Sequence, residues 1–165
     1  MNPTIIEETI RAWQAEPGKA KGKPTVKGHD DGAQAVLEFG SFSWRADLPA
    51  PLGGTNQAPT PTALLLSALA GCAVLFIRDI LAPQLGVNVE GVSATAQCEA
   101  DNRGLFGLDG AAPDLYNFQL AVQIESHDSE AQVRELFRVW QERCPIYLAL
   151  AKPQSVTVTL EVRDR

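Results

Sequence analysis

Residues Gly53–Cys72, GGTNQAPTPTALLLSALAGC, decide the fold. Thr60 offers an oxygen to an otherwise orphan backbone N–H, and Pro61 suits a first helical turn, so the spacing predicts a helix from Pro61 to about Leu81. Leu64, Leu65, Leu66, Leu69, Leu75, Phe76 and Ile77 surround its axis instead of forming one stripe, which predicts a helix covered on nearly all sides. A chain of 165 residues covers such a helix poorly alone and readily as a dimer. Immediately upstream, Leu48–Pro61 holds four prolines and two glycines, too many for regular hydrogen-bonded structure. That composition predicts a long loop running into a site or an interface.

Toward the N-terminus, Thr25–Gly28, Ala33–Phe39 and Ser41–Ala46 read as short strands of an antiparallel meander, separated by a His29–Gly32 turn and by Gly40. Before them, Ile5, Ile6, Ile10 and Trp13 recur at helical spacing within residues 2–14, and GKAKGKP at Gly18–Pro24 suits an exposed connector. Residues 1–24 are thus expected to form a leading helix and linker, and residues 25–165 one domain. On the C-terminal side, Val87–Ala100 and Tyr116–Glu125 read as two pairing strands around a Gly-rich loop, Asp101–Asp114. Ser129 and Gln132 form a capping box for a second amphipathic helix carrying Val133, Leu136, Phe137, Trp140 and Cys144. Pro145 interrupts it, Ile146–Leu150 makes a short further helix, and Val156, Val158, Leu160 and Val162 alternate in a closing strand. Helices and strands without regular βαβ order give an α+β class.

Composition narrows the function. Fourteen Lys and Arg against twenty Asp and Glu leave a net charge of −6 and no basic stripe, which argues against nucleic acid. The N-terminus lacks the positive region and apolar core of a secretory signal, so a cytosolic location is expected. The apolar stretch Ala63–Ile77, closed by Arg78 and Asp79, is expected to fall short of the ~18 residues of a membrane span. Three cysteines at wide spacing fit neither a disulfide scaffold nor a zinc site, so no metal is expected.

The same cysteines are the candidates for chemistry, since the chain offers only His29 and His127 and no serine triad or phosphate-binding loop. Cys72 reads either as a small buried hydrophobe or as a reactive thiol. Cys144, the residue before Pro145, falls at a helix N-terminus, where free N–H groups stabilise a thiolate. Cys98, alternating within a strand, reads as packed. Trp13, Trp44 and Trp140 read as core or interface residues, and Leu105 and Phe106 as loop-tip packing or an apolar rim over the site. His127 is assigned no chemistry.

The Gly-Gly loop, Pro-Thr-Pro and Leu/Ala-rich helix ending in Cys72, followed by Cys144-Pro145 near the end of an amphipathic helix, closely resemble the OsmC-like family of osmotically inducible and organic hydroperoxide resistance proteins. The resemblance extends over roughly Thr25–Val162. It implies an intertwined homodimer in which antiparallel sheets enclose two long central helices, with two sites at the subunit interface. It also implies that Cys72 attacks a peroxide and becomes a sulfenic acid, and that Cys144 condenses with it to a disulfide. A dithiol or lipoyl-protein reductant restores the thiols in relatives, with no metal, flavin or haem. In the hydroperoxide resistance subfamily an arginine of the first hairpin activates the first cysteine, steadied by a glutamate ten residues before it. Here Thr62 holds the glutamate's position, and no arginine stands near His29–Gly32. His29, Arg45 and Arg11 are the candidate substitutes. Two other functions fit the same residues: a non-catalytic protein binding a small hydrophobic ligand in the dimer cleft, and a redox sensor.

Overall fold

Tight glycine turns build the first sheet. In the computed structural model, which describes residues 3–152 and 154–163, strands β1 (Lys27–Asp31), β2 (Gln34–Phe39) and β3 (Phe42–Ala46) form an antiparallel sheet in the order β1-β2-β3. The pairs Asp31↔Gln34 and Phe39↔Phe42 leave two-residue turns, and Gly32 and Gly40 take the positive φ values, 64° and 59°, that such turns demand. The hairpin is therefore tighter than the sequence suggested. His29 lies within β1 opposite Val36, not in the turn.

The loop after β3 is organised by one buried residue. Asp47, 3% exposed, accepts hydrogen bonds from Leu48 N (2.7 Å), Thr55 N (3.1 Å), Thr55 Oγ1 (2.6 Å), Gln57 N (2.9 Å) and Gln34 Nε2 (3.3 Å). Its N–H donates to Pro59 O, so the loop closes on itself. Gly54 lies so near the turn that a Cβ there would stand 1.8 Å from Leu48 O, which only glycine permits. The Thr55 hydroxyl first, then the Gln57 N–H, hold the Asp47 carboxyl well below the usual carboxylate range. A carboxyl lowered in the folded state stabilises it above its unfolded pKa of ~3.9, and that contribution is lost as pH falls through the folded value. Asp47→Asn, which keeps the shape and loses the charge, is expected to lower the thermal midpoint at pH 7 by several degrees and to narrow that gap in strong acid. An equal midpoint for both proteins at pH 7 contradicts the role.

Thr60 caps the next helix, accepting from Ala63 N at 3.1 Å, and Pro61 opens α2 (Pro61–Leu75). The helix does not stop near Leu81. A π turn at Phe76–Leu81 widens the backbone ahead of Pro83, whose missing N–H and bulky ring disrupt a regular α ladder, and α3 (Ala82–Leu85) continues to Gly86. The uninterrupted run Pro61–Leu85, 25 residues whose most apolar 18-residue stretch has a mean hydropathy of 2.1, is long and apolar enough to cross a membrane by length and composition. This corrects the shorter apolar stretch read from sequence. Coverage differs too: Leu69, Ala73, Ile77 and Leu81 form a buried stripe at four-residue spacing, whereas Leu75 (55%) and Ile80 (42%) are exposed. Within one chain the helix is covered on one side only.

That covered side faces a second sheet. Strands β4 (Val89–Ala100) and β5 (Leu115–Ser126) pair antiparallel, and alternate residues, Val92 and Ala94 on one and Leu120, Val122 and Ile124 on the other, turn toward α2. Helix α4 (Glu130–Arg143) starts at the complete Ser129–Gln132 capping box and adds Leu136, Val139 and Trp140 to the core. Helix α5 (Pro145–Ala151) follows at once. The leading helix α1 (Pro3–Ala15) carries Ile6 and Ile10 on its half-buried side.

The expected closing strand is absent as a paired element. Residues 154–163 make no ladder, and Val156, Val158, Leu160 and Val162 are all more than 80% exposed. Alternation specifies which face a strand buries, but pairing needs a neighbouring edge, and this chain supplies none to the segment.

Candidate active site

Two local rules bring the sulfurs together. Pro145 pushes the preceding residue out of helical geometry, so Cys144 (φ −69°, ψ 113°) ends α4 and caps α5 at once. Its N–H donates to Trp140 O at 2.8 Å, and its Sγ accepts from Tyr147 N at 3.5 Å. Cys72 sits on α2 one turn before the π segment, on the side facing α5. The two Sγ atoms are 3.0 Å apart, although the residues are 72 positions apart in sequence. Cys144 is fully buried and Cys72 partly so, and both thiols are free. A disulfide between them forms only when an oxidant removes two electrons and the thiols lose their two protons.

Cys72 opens onto a cavity of about 510 Å³ walled by Leu75, Phe76, Ile80 and Pro145. Asp79 is its sole charged lining residue among the described residues, and the Arg78 guanidinium grips that carboxylate through Nε (2.7 Å) and Nη2 (2.8 Å). This pairing holds Asp79 below its ordinary pKa. The walls of the site are thus apolar, and the carboxylate among them is paired.

Burial, followed by the Cys144 thiol, pushes the Cys72 thiol up to about 11, against a smaller opposing effect of the Ile146 N–H. No described Lys, Arg or His is among the groups that shift it. Alkylation of Cys72 by iodoacetamide is therefore expected to quicken about tenfold per pH unit between pH 7 and pH 9, because only the thiolate reacts. A rate flat across that range contradicts a neutral thiol.

The sequence-derived supporting residues lie elsewhere. Arg45 Nη2 pairs with Asp31 at 2.7 Å and its Nη1 with Gln34 Oε1 at 2.9 Å, so cross-strand neighbours in the first sheet hold it. His29 borders a different cavity, with Asp30, Gln34 and Pro61. Arg11 is exposed on α1. Thr62, ten residues before Cys72, stands about 15 Å back along the helix by its rise alone. Within the single chain none of the four lines the Cys72 cavity or shifts its thiol. Cys98 lies in β4 between Gln97 and Glu99, where the register shifts, away from the pair. Leu105 and Phe106, 60% and 62% exposed, form no rim on the Cys72 cavity. Trp140 is core, while Trp13 (48%) and Trp44 (37%) are exposed in the single chain. His127 pairs with Glu90 at the surface.

Sequence reasoning missed Asp47, the Ile146 N–H and the Arg78–Asp79 pair. Only Asp47 left a signal, an aspartate opening a Gly-Gly-Thr loop, a residue type that bonds to nearby backbone N–H groups.

The family described as OsmC-like protein matches residues 54–160. No curated protein matches the chain. Among solved structures, the chain is similar to an OsmC-like protein from Mycoplasma pneumoniae at 21% identity and a TM-score of 0.65, covering 79% of this chain and 89% of that one. It is similar to an organic hydroperoxide resistance protein from Elizabethkingia anophelis at 16% identity and a TM-score of 0.59, covering 78% and 89%. An organic hydroperoxide resistance protein from Legionella pneumophila matches at 22% identity and a TM-score of 0.53, again over 78% and 89%. At these identities the likeness establishes the fold.

Proposed function

The chain belongs to the OsmC-like family, and from that premise we propose that it is a thiol-dependent hydroperoxide reductase working through Cys72 and Cys144. The observation that carries this reading is the 3.0 Å approach of the two sulfurs at the end of an apolar cavity. The Cys72 thiolate attacks the terminal peroxide oxygen, the O–O bond breaks, and an alcohol leaves after taking a proton. Cys72 is then a sulfenic acid. The Cys144 sulfur displaces its hydroxyl as water, giving a disulfide, and an external dithiol, such as a lipoyl protein, reduces that disulfide by two electrons and two protons. The apolar walls suit an organic peroxide.

The working form in this proposal is a cytosolic homodimer. Only 22% of the most apolar part of the Pro61–Leu85 run is buried, Phe42 is 70% exposed on the first sheet, and residues 156–162 alternate without a partner strand. A second copy related by twofold symmetry gives these surfaces a partner outside the Cys72 cavity. It also supplies the remaining opportunity for a cation near Cys72.

A second reading, a non-catalytic protein that binds a hydrophobic ligand in the cleft, is favoured by the raised Cys72 pKa, to which no described Lys, Arg or His contributes. Dithiol-driven consumption of tert-butyl hydroperoxide separates the two. The proposal expects sustained turnover by a species of twice the chain's 17.8 kDa in sedimentation. A monomer, or a protein inert toward peroxide, overturns it.

A further inference from the structure

The Cys72 cavity does not end at its own walls. Ile80 lines it on one side and, on the other, lines a second cavity of about 270 Å³ formed against the leading helix by Ile6, Ile10 and Trp13. The two share this single side chain as a boundary. Ile80 is 42% exposed, and a side chain that is not packed in place is free to change rotamer. The second cavity is nearly as apolar as the first, with Thr9 and Gln84 as its polar members.

Helical spacing explains how α1 presents this surface. Ile6, Ile10 and Trp13 stand at i, i+4 and i+7 and share one face, while Glu7, Glu8 and Arg11 point elsewhere and are exposed. Both Ile6 and Ile10 remain only half-buried, and Trp13 is 48% exposed, so this face is not spent on packing within the chain. Helix α1 also precedes residues 54–160, the part the family shares.

We propose that α1 extends the Cys72 cavity into a trough, and that Ile6, Ile10 and Trp13 set the chain-length preference by holding the aliphatic tail of a long unbranched hydroperoxide. This rests on the hydroperoxide reductase reading for the head of the substrate and on α1 for its tail. The occupant is aliphatic because the trough offers methyl, methylene and indole surface and, among the described residues, no charge beyond the Asp79 carboxylate, which Arg78 already pairs. Each methylene moved from water to such a surface tightens binding about fourfold. A few methylenes beyond Ile80 therefore produce a strong preference for long chains over tert-butyl hydroperoxide.

Two measurements on the same proteins test this. The ratio of kcat/KM for a twelve-carbon linear hydroperoxide to that for tert-butyl hydroperoxide is compared in the wild type, Ile10→Asn and Trp13→Ala, with Ile10→Ala as a milder truncation. The affinity of each for 1-dodecanol, which has no reactive oxygen bond, is measured by calorimetry. The expected result is a ratio at least ten times lower in Ile10→Asn, expressed in KM, with dodecanol binding weakened to a similar extent and Ile10→Ala intermediate. An unchanged ratio with unchanged dodecanol affinity overturns the proposal. So does a variant that sediments as a monomer with the ratio intact, because the trough would then seat a second copy. If the wild type binds dodecanol through Ile10 but consumes no peroxide, the tail site stands and the reductase reading falls.

Discussion

Cys72→Ser is expected to lower dithiol-driven peroxide consumption by about a thousandfold or more, because it removes the sulfur on which every later step depends. The serine hydroxyl at this position is uncharged and has no base beside it. Cys144→Ser is expected to behave differently. Cys72 remains able to attack, but its sulfenic acid finds no sulfur at 3.0 Å and persists, so one oxidation per chain is followed by a stall that a sulfenic-acid-specific dimedone probe reads out. Cys98→Ser is expected to leave turnover at the wild-type level. If Cys72→Ser and Cys144→Ser lose activity equally and neither accumulates a sulfenic acid, the division of labour between the two sulfurs is wrong.

Trp140→Ala is expected to cost about 3 to 5 kcal/mol of unfolding free energy, as large-to-small changes in a close-packed core do. Trp140 is 1% exposed and stands between Phe137 and Tyr147, with ring centroids at 5.4 Å and 5.3 Å. The loss reaches the site as well, because the Trp140 carbonyl accepts from Cys144 N and the Tyr147 N–H faces the Cys144 sulfur. Its Nε1–H is buried without a partner among the described residues. Trp140→Phe, which removes that unpaired donor while keeping an aromatic ring, is therefore expected to stay within about 1 kcal/mol of the wild type. Urea unfolding at fixed protein concentration checks both. A Phe variant as unstable as the Ala variant contradicts the account of the indole N–H.

The parts of this molecule that were legible in its sequence are those governed by neighbouring residues. Thr60-Pro61 announced the start of α2, Ser129 with Gln132 announced α4, and Cys144-Pro145 announced the break that turns a thiol toward α5. Long-range relations were not legible. Asp47 gathers donors from residues 34, 48, 55 and 57, and nothing local marks Gln34 as one of them. The π turn arises where the run accommodates Pro83 and carries the helix on to Leu85, so an end at about Leu81 was placed too early. Arg45 was a candidate cation for Cys72 in the sequence, yet the pairing of the first sheet sets it beside Asp31 and Gln34. Residues 156–162 had the right alternation for a strand, but alternation does not say which edge receives it.

The central claim is that Cys72 and Cys144 exchange two thiols for one disulfide at the expense of a peroxide. One equivalent of tert-butyl hydroperoxide added to the fully reduced protein, followed by a free-thiol count and intact mass, tests it most directly. The account predicts that the three thiols fall to one with the loss of two hydrogen atoms, and that peptide mapping joins Cys72 to Cys144 and leaves Cys98 free. Survival of all three thiols, or a disulfide that includes Cys98, contradicts it.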